Sequence, residues 1–386
     1  MAATYTPREM LERLVAFDTT SRASNLALIA FVEGYLKGHS LAPKRIPNPE
    51  GTKANLLVTL GPEKPGGIIL SGHTDVVPVD DQEWHTDPFA AVEKDGKLYG
   101  RGTADMKAFS AVALALVPEF LRRGLNTPIH IALSYDEEVG CLGVRPMIAD
   151  ISRNVPTPRL AIIGEPTEMK VVNAHKGIRA FRTTVTGREA HSSRTDKGVN
   201  AVMVAAELIV YLDSLADEMR ERGDPSGRFD PPYTTVQAAT IRGGTALNIL
   251  AHHCSFQWEF RYLPGTSEHD ILDRFEAHAQ GAVLPRLRDI APEADIVTTA
   301  GGHVKPLVAS DECPAEALAK QLTGQNHAEA VSYGTEAGLF QEAGIPSVVC
   351  GPGSILQAHK PNEFIELSQI DACTAFMRRL IDHVAA

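Results

Sequence analysis

The chain has little cysteine and nothing to pair it with. Cys141, Cys254, Cys313, Cys350 and Cys373 are scattered, odd in number and without CxxC spacing. That excludes a disulfide framework and a thiolate metal cage and fits a reducing compartment. A basic excess is also missing. The formal charge of -11 argues against nucleic acid or an anionic membrane as the main partner. No apolar run reaches membrane-spanning length, and the N-terminus leads directly into a polar helix, so neither anchoring nor export is expected and a cytoplasmic location is the default. There is no GxSxG elbow and no Walker-type loop, which removes the usual support for serine-hydrolase and P-loop chemistry. Internal repeats and low-complexity tracts are absent as well.

What remains is a soluble, globular composition, 44% hydrophobic and 22% charged, over 386 residues. That length exceeds one ordinary core and predicts about two to three domain-sized units. Thr6-Pro7-Arg8-Glu9 reads as a helix start with a capping box. A second helix is expected from Asn25 to Gly38. Asn55–Leu60 and Ile68–Leu70 read as neighbouring strands, and Ala108–Arg123 as one long helix. Further strands are expected at Ile129–Tyr135, Leu160–Ile163 and Ile345–Cys350. This alternation predicts an α/β unit with a mostly parallel sheet, built from residues 1–177 and 301–386. Residues 178–300 change rhythm to strand, helix, strand, strand, helix, strand. That βαββαβ order is the ferredoxin-like unit, here an insertion.

Polar residues collect where the apolar strands end. His73 and Asp75 follow Ile68–Leu70; Asp136, Glu137 and Glu138 follow Ile129–Tyr135; Glu165 follows Leu160–Ile163. Open α/β sheets gather their ligands at such strand ends. With Asp105 and His359, these residues offer imidazole nitrogens and carboxylate oxygens, donors that suit zinc and related divalent cations. Each alone has an ordinary alternative, such as a helix cap for Asp105, a loop acid for Glu165 or an exposed surface residue for His359. Convergence favours the sharper reading, half of which is visible between Ile68 and Lys107. Asp105 lies between the other ligands in the chain and is the expected bridge of a two-ion site. Asp75 suits support of a ligand histidine through its far ring nitrogen. Adjacent acids in an extended segment point opposite ways, so Glu137 and Glu138 should divide metal binding and proton transfer between them.

Five segments carry a family resemblance that covers nearly the whole chain. They are Ser71-Gly72-His73-Thr74-Asp75-Val76-Val77-Pro78, Gly100-Arg101-Gly102-Thr103-Ala104-Asp105-Met106-Lys107, Asp136-Glu137-Glu138-Val139-Gly140, Ile163-Gly164-Glu165-Pro166-Thr167 and His359-Lys360-Pro361-Asn362-Glu363. In type and order they resemble the di-zinc deacylase and peptidase family. The resemblance implies a zinc-exopeptidase-like catalytic domain with two Zn2+ per subunit, Co2+ being an alternative occupant. One ion falls to His73, Asp105 and Glu165, the other to Asp105, Glu138 and His359, with Glu137 as the general base. It also implies that the inserted domain is a lid through which a homodimer forms, and that the catalytic His191 stabilises the oxyanion in the partner subunit's site. Asn248 and Arg261 match positions that bind the substrate carboxylate, for which a guanidinium offers two parallel donors.

Within the family, Trp84-His85-Thr86-Asp87-Pro88-Phe89 and Leu133 to Cys141 are most similar to deacetylases acting on N-acetyl-L-ornithine. Gly334-Thr335-Glu336-Ala337-Gly338 lacks the arginine that desuccinylases carry there, and Glu336 suits the ammonium of an ornithine side chain. The expected substrate is thus a small N-acyl amino acid. Aminoacylase, desuccinylase and exopeptidase activities are the alternatives within the class. A non-catalytic metal-binding protein is the alternative outside it, and the intact Glu137 and ligand set argue against that.

Overall fold

The computed structural model describes residues 3–386. The chain divides into two compact units. The first comprises the chain up to Ala174, Leu307–Ala330 and Thr335–Ala386; the second comprises His175–Pro306 and Val331–Gly334.

The first unit is built on an eight-stranded sheet. Its order is Lys44–Pro47, Ala54–Leu60, Ile129–Ser134, Ile68–His73, Leu160–Pro166, Ser347–Gly351, Val172–His175, Glu329–Val331. Ile129–Ser134, Ile68–His73, Leu160–Pro166 and Ser347–Gly351 run parallel, and every residue in them is buried. Continuous apolar strands are what a parallel sheet covered on both faces requires.

Two expectations change here. Ala54–Leu60 and Ile68–His73 are not neighbours; Ile129–Ser134 lies between them, antiparallel to the first and parallel to the second. Ile68–His73 is buried throughout and so takes an interior position with a parallel partner on either side. The helix after Asp105 is not continuous: Lys107–Ala115 gives way to Val117–Arg123. Pro118 lacks the N–H needed to continue the ladder and sits in the first turn of the new helix.

The opening helix, Pro7–Val15, forms as its sequence predicts. The Glu9 N–H donates to Thr6 Oγ1 at 3.2 Å and the Thr6 N–H donates to Glu9 Oε2 at 2.8 Å, while Met10, Leu11, Leu14 and Val15 are buried. Lys107–Ala115 is buried along its whole length. Its Phe109 ring occupies the space that a Cβ on Gly164 would need, 1.9 Å from the ring atom Cγ. Only glycine lets the strand end bearing Glu165 pack this closely on that helix.

The second unit is a four-stranded antiparallel sheet, ordered Thr235–Gly243, His253–Tyr262, Gly177–Thr186, Asp295–Val304. Along His253–Tyr262 the alternate residues Cys254, Phe256, Trp258, Phe260 and Tyr262 are buried, with Leu208, Leu212, Phe275 and Val283 from the helices in the same core. The helices are Ala201–Arg222 and the continuous stretch 270–288, which contains a π turn at Ala279–Val283. Element order and strand order are those of the ferredoxin-like unit.

Candidate metal centre

Parallel strands deliver their C-terminal ends to one edge of the sheet, so polar residues that follow them meet there. His73 is the last residue of its strand, Glu165 lies one residue from the end of the next, and Glu137 and Glu138 follow Ile129–Ser134 after a left-handed residue, Asp136 at φ 54°. His359, at φ 63°, is carried on the loop after Ser347–Gly351.

Asp105 is the hub. Its Oδ1 lies 3.0 Å from His73 Nε2 and its Oδ2 lies 3.3 Å from His359 Nε2. Glu165 Oε1 is 3.9 Å from the same His73 nitrogen; beside His359, Glu138 Oε2 is 3.0 Å from Nε2. Potential ligand atoms of His73, Asp105 and Glu138 lie within 4.8 Å of one another, as do those of His73, Glu137 and Glu165. All five expected ligands and Glu137 therefore share one locus.

The electrostatics of this locus call for positive charge. Burial and the neighbouring Asp105 carboxylate raise Glu138 to about 7. Burial also pushes Glu137 and Glu165 well above the usual carboxyl range, with like charges adding to the effect. Burial opposes ionisation of Asp105, but hydrogen bonds from His359 and His73 outweigh it and keep that carboxyl low. Hydrogen bonds from His359 to Asp105 and Glu138 raise this imidazole to about 10. Packed acids that resist ionising beside imidazoles that hold protons are a set whose protons bound cations would displace. Imidazole nitrogen and carboxylate oxygen are the donors zinc accepts, so the residues fit a pair of such ions.

His73 Nδ1 is 2.9 Å from the main-chain carbonyl of Asp75 and 3.5 Å from its Oδ1. Besides facing His73, the carboxylate accepts from the N–H groups of Glu137 at 3.1 Å and Glu138 at 3.2 Å, and from Ser21 Oγ at 2.8 Å. It supports both sides of the site at once. Glu336 is buried; it accepts from Ser71 Oγ at 3.1 Å and from Ser134 Oγ, and burial raises it to about 7.

His191, Asn248 and Arg261 belong to the second unit. The loop bearing His191 pairs with that bearing Asn248: Ser192 N–H donates to the Asn248 carbonyl at 3.0 Å, and His191 bridges Ile249. The Ser193 N–H donates to His191 Nδ1, which puts the neutral ring's proton on Nε2. Arg261 lies on the sheet face away from the helices, 3.2 Å from Glu259 Oε1, in an open groove of about 660 Å³ that Arg182, Gln237 and Gln257 also line.

Some neighbours escaped the sequence reading. Cys141 Sγ donates to Glu137 Oε1 at 3.2 Å, and Glu363 accepts from the N–H groups of Ala104 at 2.8 Å and Asp105 at 3.1 Å. Both stand inside recognised motifs. The available signal was the presence of Arg101 and Glu363, opposite charges in two motifs that converge on one site.

Comparison with known proteins agrees with this geometry. Residues 69–383 match the model of Peptidase family M20/M25/M40. The chain is 36% identical over 375 residues to the acetylornithine deacetylase of Proteus mirabilis (strain HI4320), covering 95% of this chain and 92% of that one. It is 35% identical over 390 residues to the acetylornithine deacetylase of Pasteurella multocida (strain Pm70), covering 97% and 96%. The crystal structure of an M20 family metallo-carboxypeptidase from Sulfolobus solfataricus superposes with a TM-score of 0.77 at 17% identity, covering 99% of this chain and 100% of that one. No helix among the described residues is long and apolar enough to cross a membrane. With its converged acids and imidazoles, its fold and a match spanning most of its length, the chain belongs to Peptidase family M20/M25/M40.

Proposed function

We propose that this protein is a two-metal amidohydrolase that converts N-acetyl-L-ornithine and water to L-ornithine and acetate, a cytoplasmic step of arginine biosynthesis. The observation that carries the reading is the placement of Asp105, with one carboxylate oxygen beside each of two imidazoles, His73 and His359. A single carboxylate so placed suits a bridge between two ions, here assigned as Zn2+ with Co2+ able to replace it. His73 and Glu165 complete one site and Glu138 and His359 the other. Bound there, the ions would supply Lewis-acid polarisation of the amide carbonyl and acidify the attacking water.

The chain's own residues supply the rest. Glu137 takes the proton of the attacking water and returns it to the leaving amine, a role helped by the upward shift that burial imposes on its carboxyl. Asp75 holds the backbone of Glu137 and Glu138 in register with His73. His191, with its proton on Nε2, is a donor suited to the developing oxyanion. Arg261 and Asn248 are assigned to the substrate carboxylate and Glu336 to the ornithine ammonium.

We assign the active form as a homodimer joined through the second unit. Thr235–Gly243 is an edge strand with its outer side unpaired, and Ile241, Leu247 and Ile249 on or just beyond it are exposed. Met203 and Val210 on the helix Ala201–Arg222 are exposed too. An exposed apolar edge of this kind suits self-complementary pairing with a second copy.

The test is turnover of N-acetyl-L-ornithine against a panel of other N-acyl amino acids and dipeptides, before and after chelation and after restoring Zn2+ or Co2+. Acetylornithine should lead the panel, and chelation should abolish turnover. Preference for a dipeptide or a succinyl amide would reassign the enzyme within its class, and full activity in the chelated protein would overturn the metal reading.

A further inference from the structure

Glu363 and Arg101 are both 1% exposed and form an ion pair, with Arg101 Nη1 2.7 Å from Glu363 Oε2. A buried pair is weak evidence for stability, because desolvation offsets most of the attraction. What each partner holds with its remaining atoms is more informative.

Glu363 uses its other oxygen on the turn that carries Asp105, accepting from the Ala104 N–H at 2.8 Å and the Asp105 N–H at 3.1 Å. Its main-chain carbonyl accepts from the Gly100 N–H at 2.9 Å, at the start of the same turn. Arg101 reaches the opposite way. Nη1 donates to the Lys360 carbonyl at 3.3 Å, and Nη2 donates to Gln82 Oε1 at 2.6 Å. Gln82 Nε2 closes the circuit by donating to the His359 carbonyl at 3.1 Å. The loop bearing His359 and the turn bearing Asp105 are thus fastened to one buried ion pair. By contrast, His73 and Glu165 are set by strand ends within the sheet.

We infer that Glu363 and Arg101 are positioning residues for the ion assigned to Asp105, Glu138 and His359, setting the gap between the Asp105 turn and the His359 loop. The inference rests on the proposed ligand set. It goes beyond it by making the ion on the His359 side, two of whose ligands sit on the clamped segments, depend more steeply on side chains that touch neither ion than its neighbour does, which shares only Asp105 with those segments. A carboxylate is needed because Oε1 must accept two N–H groups while Oε2 accepts from a guanidinium. An amide in its place has one oxygen and presents a donor to the other partner.

The experiment is titration of the metal-free full-length protein with Co2+, followed by calorimetry and by the visible absorption of the bound ion. Wild type, Glu363→Gln, Gln82→Ala and His359→Ala are compared. His359→Ala identifies which of the binding events belongs to the ion assigned to Asp105, Glu138 and His359. In Glu363→Gln that event should weaken about 10–100-fold, with a changed absorption band, as expected for loss of an outer support of a ligand. The ion on the His73 and Glu165 side should weaken distinctly less, because Asp105 is its only ligand on a clamped segment.

Gln82 is partly exposed, and Gln82→Ala leaves the ion pair in place. It should weaken the same event about threefold to tenfold, and it decides the matter if Glu363→Gln fails to fold. Wild-type affinities at both sites in the folded variants, with one site lost in His359→Ala, would overturn the clamp while leaving the ligand set standing. Equal weakening of both ions would reduce the pair to general scaffolding and overturn it too. Two unperturbed ions in His359→Ala would remove the ligand assignment, and the inference with it.

Discussion

His73 and Asp75 are joined through the backbone: the ring's Nδ1 lies 2.9 Å from the Asp75 main-chain carbonyl, whereas the nearer carboxylate oxygen is 3.5 Å away. The Asp75 carboxylate faces the same ring and also holds the N–H groups of Glu137 and Glu138. Asp75→Asn keeps the shape but offers an NH2 group where one acceptor oxygen stood. Metal affinity should fall about 10–100-fold, as for other losses behind a ligand. Titration of the metal-free variant measures it; wild-type affinity would show that the carboxylate does not support the site.

Glu137 lies within 4.8 Å of His73 and Glu165 and accepts the Cys141 thiol, but the proposed ligand set assigns it the proton and not an ion. Glu137→Gln should therefore retain its ions and lose about 10²–10⁴ in kcat, with little change in KM, the signature of lost proton transfer. Metal analysis beside steady-state kinetics decides it. Loss of an ion in this variant would make Glu137 a ligand rather than the base.

Glu336 tests the substrate assignment. Its charge is the feature proposed to favour an ammonium, and Glu336→Gln should lower kcat/KM for acetylornithine about 10–100-fold while sparing acetyl amino acids with neutral side chains. Competing substrates in one assay give the ratio directly. An unchanged ratio removes Glu336 from substrate recognition and leaves it as a buried partner of Ser71 and Ser134.

Burial of His130 should contribute stability that mild acid removes. His130 is 1% exposed, its Nδ1 is paired with Thr59 Oγ1 at 2.8 Å, its Nε2 has no partner, and burial lowers it to about 4. Below its unfolded value of 6.5 the unfolded chain takes up a proton that the folded chain refuses. The stabilisation is complete above pH 6.5 and is lost as pH falls toward 4, by of order 3 kcal/mol at most. Denaturant unfolding at stepped pH isolates this contribution as the difference between wild type and His130→Gln, since raised carboxyls such as Glu138 and Glu336 titrate with the opposite sign in both proteins.

The dimer is tested by charge. Ile241→Lys combined with Leu247→Asp places ions on the exposed edge, which should give monomers in sedimentation. If the partner's His191 completes the site, turnover should fall with dissociation while metal content holds. A dimer that survives both substitutions would move the interface elsewhere.

How far the sequence alone could be read depended on the range of the interaction. The proposed ligands His73, Glu138 and Glu165 were legible because they follow apolar strands, and Asp105 because it precedes a buried helix, all short-range patterns. His359, on a loop well beyond its strand, was marked only by the family resemblance. Strand alternation likewise marked the second unit, where buried Phe256, Trp258 and Phe260 recur at every other residue. The insertion of Ile129–Ser134 between Ala54–Leu60 and Ile68–His73 was not legible, since both arrangements bury the same apolar side chains. Nor was the break before Pro118, where a first-turn proline and an interior one look alike without the helix start.

The amino-acid order by itself marked which side chains can offer donors to cations and where the rhythm of strands and helices changes from one architecture to another. Those follow from chemistry and periodicity within a few residues. Only the tertiary structure decided that the Asp105 oxygens face different imidazoles, that Asp75 serves the backbone of Glu137 and Glu138, and that Arg101 and Glu363 join the Asp105 turn to the His359 loop. Residues far apart in the chain meet there through sheet order and burial, and no local pattern records such a meeting.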